Sequence, residues 1–255
     1  RRAPAADASG LGREQVAAVH AVGDEREQHH EHPERHRPER LAARQVVLRR
    51  ARRSATLGTA GAAVAPLAIK LHKNEQNSPE YLALNARGQV PVLLDGGEAI
   101  TQLMALVAYI DARFPEAGFV PRDALARARF VEALAWMNNT VHPTFTHIFM
   151  PHKFTDDAAA QQAIKTQALA QYRQRLGELQ ALVQRAHAAG QDWLGGVHCG
   201  PLDAYALTLL RWGTIAGINP EDTPELWAHA QRTAQVPGVA RAMAREKLQL
   251  SLYQP

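Results

Sequence analysis

Asn77-Ser-Pro-Glu-Tyr-Leu-Ala-Leu-Asn-Ala-Arg-Gly-Gln-Val-Pro-Val-Leu-Leu94, followed by Asp95-Gly-Gly97, Glu98-Ala-Ile100 and Thr101-Gln-Leu103, is the stretch that decides the fold. Ser78 with Pro79 behind it has the form of an N-cap and first helical position, so one or two helical turns are expected to Leu84. Asn85-Ala-Arg-Gly88 is a turn, and Gln89 to Leu94 has strand composition with Pro91 in its middle. Proline donates nothing to a ladder, so this strand belongs at an edge or end, with the Val90–Pro91 bond open to cis or to ordinary trans geometry. Asp95-Gly-Gly97 predicts a hairpin into a short strand at 98–100. Thr101 then caps a helix to residue 114, with Leu103, Leu106, Val107 and Ile110 on one face and Phe114-Pro115 at its end.

Upstream, Pro66-Leu-Ala-Ile-Lys-Leu-His72 alternates well enough for another strand. Before it the composition changes. Residues 1–60 hold 12 Arg against 8 acidic residues, whereas residues 61–255 hold 17 basic against 17 acidic, so the net +4 lies wholly in the first 60. All 15 aromatic residues come after position 80. An arm of Arg, Ala, His and Glu cannot bury a core. It is expected to be disordered, to form short isolated helices, or to be GC-rich DNA read out of frame. A basic arm could bind nucleic acid, but here it has no aromatic for stacking and alternates Arg with Glu. His29, His30, His32 and His36 have ligand-like spacing without an ordering core, and a solvated run is the plainer reading.

Downstream, Glu116 to Arg122 reads as a linker, and helices are predicted over roughly 122–141, 157–189, 201–216, 222–235 and 238–249. No stretch is apolar enough for a membrane helix. One cysteine, Cys199, excludes a disulfide framework and points to a reducing cytoplasm. Its place before a helix suits a buried small apolar residue rather than a nucleophile.

Four elements in order, namely Asn85-x-x-Gly88-x-Val90-Pro91, the hairpin, the Thr101-Gln102 helix start and Tyr109-Ile-Asp-Ala-Arg-Phe-Pro115, resemble the glutathione S-transferase family, and its bacterial, beta-like branch most. Gly200-Pro-Leu-Asp203-Ala-Tyr-Ala-Leu207 extends the resemblance, which covers about 66–255 and not the first 60 residues. It implies an α+β two-domain fold, with a thioredoxin-like N-terminal domain, incomplete at its start, followed by an all-α domain. The division is then a low-complexity arm at 1–60, a thioredoxin-like glutathione-binding domain at 61–116, and an all-helical domain at 122–255. The implied activity is a cytoplasmic, homodimeric transferase serving detoxification. It would conjugate or reduce hydrophobic electrophiles with glutathione as co-substrate, with no bound cofactor or metal and no membrane or nucleic-acid partner.

The resemblance also assigns residues. A cis Val90–Pro91 bond would turn the Val90 N–H and C=O outward to pair with the cysteinyl part of glutathione like an added strand. Gln102 stands where the family has a Glu or Gln on the γ-glutamyl group, and the helix start behind it suits a carboxylate. Taken alone, such a Gln is more often a solvated first-turn residue than a ligand contact. Leu103 stands where the family usually has Ser, so a hydroxyl to that carboxylate is missing. The family's catalytic Cys, Ser or Tyr should fall within about 38–65, where there is no Cys or Tyr and where Ser54, Thr56 and Thr59 match no pattern. The alternative is therefore a catalytically impaired member acting as a binding or redox-accessory module.

His142 resembles a histidine that beta-like members place beside the glutathione sulfur, and it reads equally as a helix-end residue capping carbonyls before Pro143. His147 and His152 share no helical face and make no metal pair. Trp136, Phe145, Phe149 and Phe154 suit a second-substrate pocket or the core. In the resemblance Asp203 is a buried helix cap, with half its reciprocal box lost because Gly200 has no side chain.

Overall fold

A computed structural model describes residues 15–20, 44–49, 69–95 and 97–254, with the backbone alone for the first two segments. β1 (Gln15–His20) and β2 (Arg44–Arg49) pair antiparallel, with Gln15 opposite Arg49 and His20 opposite Arg44. Strands thus stand where short helices or disorder were expected; the rest of residues 1–60, His29 to His36 included, lies outside the described residues.

β3 (Val92–Asp95) and β4 (Glu98–Thr101) form a separate antiparallel pair, Val92 opposite Thr101 and Asp95 opposite Glu98. Val92 and Leu93 are both buried, and Val92 clusters with Ile69 and Tyr81 on one face of this pair. β3 starts after Pro91, as a residue without an N–H requires. The strand expected over 66–72 is not formed in its described part. Leu71–Lys73 is a 3₁₀ turn closed by Asn74, whose φ of 59° is left-handed and whose N–H donates to the Leu71 carbonyl. The Glu75 carboxylate takes the Lys70 N–H at 2.7 Å, so local acceptors satisfy donors that a ladder would have used.

α1 (Pro79–Leu84) begins as expected, with Ser78 Oγ accepting from the Tyr81 N–H. α2 (Leu103–Arg113) follows β4 directly. Its cap is Gln102 and not Thr101: pairing with Val92 keeps Thr101 in the ladder, and Gln102 makes the turn with φ 72° and no side-chain capping bond.

The helical half comprises α3 (Ala124–Trp136), a π-helical turn (Met137–Val141), α4 (His142–Phe149), α5 (Ala158–Ala188), α6 (Pro201–Ile215), α7 (Pro224–Gln235) and α8 (Pro237–Glu246). α4 was not expected, because Pro143 reads as a breaker. Here Pro143 is the second residue of a helix, where no N–H is required. Of the long α5, Ala168, Tyr172, Leu176, Leu179 and Val183 are buried, about one residue per turn, with Leu169 and Leu182 packed beside them. The core is built from this stripe, Phe145, Trp212, Leu209 and Leu210, and α2 joins it through Val107. Gly213 admits α6 against α5; a Cβ there would lie 2.8 Å from Leu176 Cδ1.

The two halves are clamped at Asp111. This buried carboxylate on α2 takes Arg122, the last residue of the linker, at 2.9 Å and Arg127, from the helix that follows, at 3.2 Å. The C-terminal segment is tied to α6 by Arg211 Nε to the Gln249 carbonyl (2.6 Å) and by the Leu252 N–H to Thr214 Oγ1 (3.0 Å). Burial lowers the Arg211 guanidinium to about 10, with Glu246 opposing. Among the described residues no helix is long and apolar enough to cross a membrane.

Candidate functional site

The Asn85 to Pro91 motif owes its shape to one carbonyl. Gln89 O accepts both from Tyr81 Oη and from Asn85 Nδ2, each at 2.6 Å. Asn85 is buried, and its Oδ1 also takes the Arg87 N–H at 3.2 Å, which closes the turn. Gly88 completes the turn with φ 59°. The next peptide, Val90–Pro91, is cis. The Val90 N–H and C=O enter no hydrogen bond among the described residues, and they sit immediately before the buried Val92 and Leu93.

Across the hairpin, β4 delivers Gln102 beside this segment. Gln102 Nε2 lies 3.4 Å from Gln89 Oε1, a long contact between two exposed side chains. A φ of 72° is uncommon for glutamine and costs of the order of 1–3 kcal/mol, and such residues persist where the surroundings dictate them. The Gln102 carbonyl takes the Leu106 N–H, which leaves the N–H groups of Leu103, Met104 and Ala105 as the unpaired donors of the α2 start. No acidic residue lies in that first turn. The Leu103 side chain turns to the helical core, and a second apolar residue of this turn, Met104, packs there too. Val90, Pro91, Gln102 and Leu103 therefore lie on two adjoining segments, with amide donors and the positive end of a helix. Such a surface has the donors and the dipole that suit a carboxylate and an extended peptide backbone.

His142 opens α4 directly from the π turn. Its Nδ1 lies 2.8 Å from Tyr205 Oη, and its ring meets Trp212 edge-on with centroids 4.7 Å apart. The reading of His142 as a carbonyl cap is thereby overturned: it stands at the start of α4, and its partner is a phenol on α6. Burial lowers the imidazole to about 4, so it is neutral at ordinary pH. Tyr205, the partner missed in the sequence, lies in the same Asp203-Ala-Tyr205 stretch that was singled out for folding. Its phenol is raised well above its usual range by burial. Phe145 stacks on Trp212 at 4.4 Å and is core, while Phe154 is exposed and stacks on His147 at 4.3 Å. His147 Nδ1 donates to the Pro143 carbonyl at 2.8 Å. Trp136 and Phe149 are half-buried and pack against the core. Burial pushes the Cys199 thiol up to about 12, with Asp203 adding to the shift, which suits an inert residue. Ser54, Thr56 and Thr59 lie outside the described residues.

The family model for the glutathione S-transferase N-terminal domain matches residues 47–112, beginning upstream of the motif and including β3, β4 and most of α2. A glutathione S-transferase of Xanthomonas campestris pv. campestris is 34% identical over 173 residues, 67% of this chain and 82% of that protein. A bacterial beta class glutathione S-transferase of Sphingomonas chungbukensis superposes with a TM-score of 0.55 at 30% identity, covering 66% of this chain and 79% of its own. A sphingomonad glutathione S-transferase complexed with glutathione gives a TM-score of 0.51, also at 30% identity, over 68% and 81%. With identity at that level across most of a relative's length, and with the same fold, this chain belongs to the glutathione S-transferase family.

Proposed function

We propose that the chain binds glutathione across Val90–Pro91 and the start of α2, and activates its thiol for attack on a hydrophobic electrophile. The supporting observation is the Val90 backbone, without a hydrogen bond among the described residues, beside Gln102 and three open amide groups on one helix start. In this reading Val90 pairs with the cysteinyl backbone, while Gln102 and the N–H groups from Leu103 onward hold the γ-glutamyl carboxylate. His142 assists at the sulfur. The thiolate forms the new S–C bond, and the electrophile's leaving group departs with the electron pair. Trp136 and Phe149 offer the apolar surface for the electrophile. A cytoplasmic homodimer serving detoxification fits this chemistry and the single cysteine.

A second reading has its own support. Residues 38–65, where an activating Cys, Ser or Tyr belongs, contain no Cys and no Tyr. A member that binds glutathione without turnover, as a redox-accessory module, fits that composition. Retention of the full chain on immobilised glutathione, with elution by free glutathione, tests the common part, and conjugation assays on the eluted protein separate the two. No retention by the chain, with or without residues 1–60, would remove both.

A further inference from the structure

The contact between His142 and Tyr205 joins two elements that sequence separates by 63 positions, and it decides what the imidazole can do. A neutral imidazole has one donor and one acceptor nitrogen, and the partner of one nitrogen sets the role of the other. His142 Nδ1 faces Tyr205 Oη at 2.8 Å. The other neighbour of that hydroxyl is Asn138 Oδ1, at 3.5 Å. An O–H···O bond spans about 2.5–3.0 Å, so the amide oxygen is too far to compete for the phenolic hydrogen. Asn138 turns its own Nδ2 to Asn139 Oδ1 at 2.9 Å and offers the phenol no donor. The π turn contributes to the arrangement. One extra residue in a turn rotates the succeeding helix by about 100° relative to a continuous α-helix, and such turns recur at functional sites.

We propose that the Tyr205 hydroxyl donates to His142 Nδ1 and so holds the imidazole as its Nε2–H tautomer, which makes Tyr205 a positioning residue for the glutathione sulfur. The inference rests on the reading of His142 given above and specifies its chemistry. Nε2 then donates a hydrogen bond to the sulfur and does not deprotonate it. The thiol proton leaves to solvent, the sulfur keeps the electron pair, and no bond forms to His142. The acidities of the pair agree with the geometry. Burial lowers the imidazole to about 4, too weak a base to take a thiol proton, and raises the phenol, which keeps its hydrogen to donate. The edge of Trp212 and the buried Phe145 beside it keep water from the rings and strengthen the bond.

Long-range ¹H–¹⁵N correlation on the labelled protein at neutral pH reads the tautomer directly. The expected pattern has a protonated Nε2 and a bare Nδ1 on His142; a protonated Nδ1 overturns the proposal, whatever glutathione does. Tyr205→Phe should mix the tautomers and lower the thiolate fraction of bound glutathione about tenfold, read by thiolate ultraviolet absorbance as one unit of thiol pKa. An unmixed Nε2–H tautomer with an unchanged thiol in that variant also overturns it. Should the variant fail to fold, the wild-type spectrum decides. Absence of glutathione binding in wild type would instead count against the functional reading, and the tautomer result would stand apart from it.

Discussion

Asp203 Oδ1 and His229 Nε2 meet at 2.9 Å with both side chains essentially sealed from solvent, 0% and 1% exposed. The carboxylate only accepts, so His229 Nε2 carries the hydrogen toward it, and on the far side of the ring Arg232 Nη2 approaches Nδ1 at 3.1 Å. Asp203 accepts in addition from the Gly200 N–H at 2.8 Å and from the Leu194 N–H at 2.9 Å. One carboxylate therefore caps α6, ties down the loop before it and anchors α7.

Asp203→Ala should accordingly cost about 3–5 kcal/mol, the usual loss when one partner of a buried polar pair is removed. Urea denaturation checks this. A loss below about 1 kcal/mol would show that the three donors find other acceptors.

Gly88→Ala should destabilise the N-terminal half. Alanine at φ 59° costs about 1–2 kcal/mol, and its Cβ would lie 2.5 Å from Asn77 Oδ1, so that side chain must move. Gln89 and Val90 come directly after it, so glutathione affinity should fall with the denaturation midpoint. Calorimetric titration and urea unfolding of the variant test the two effects separately.

Leu103→Ser should strengthen glutathione binding while weakening the fold. The hydroxyl restores a hydrogen bond worth about 0.5–1.5 kcal/mol, hence an affinity gain of roughly two- to tenfold. Leu103 is half-buried against the helical core, so stability should drop by about 1 kcal/mol. Unchanged affinity would dissociate this position from the γ-glutamyl carboxylate.

His142 predicts a pH dependence with a definite sign. Its imidazole sits at about 4 in the fold against about 6.5 unfolded, so between those values the unfolded chain binds more protons. Stability should be complete above about 6.5 and fall as pH drops toward 4, by up to about 3 kcal/mol from this group. His142→Gln should flatten that part of the stability profile; an unaltered profile would mean that the imidazole titrates normally.

The hairpin, the start of α1 at Ser78 and the extent of α5 were legible because each rests on contacts a few residues long. The same locality explains the misses. The segment at 71–73 alternates like a strand, but a carboxylate at Glu75 and a left-handed Asn74 supply nearer partners. Pro143 reads as an interruption until the π turn before it shows that a new helix starts there. Thr101 has the chemistry of a cap, yet its strand partner Val92 claims it first.

Of the candidate site, sequence alone supplied the order Asn85, Gly88, Val90, Pro91, Gln102, since residues that shape one turn and one helix start must be neighbours in the chain. It also established that the basic excess lies in the first 60 residues. Only the tertiary structure could decide that Gln89 O draws both Tyr81 and Asn85, that Tyr205 faces His142, and that His229 and Arg232 complete Asp203. Helix periodicity reports which face is buried but not which residue of another helix it meets. The acidity and tautomer of a buried ring are set by that partner across the core.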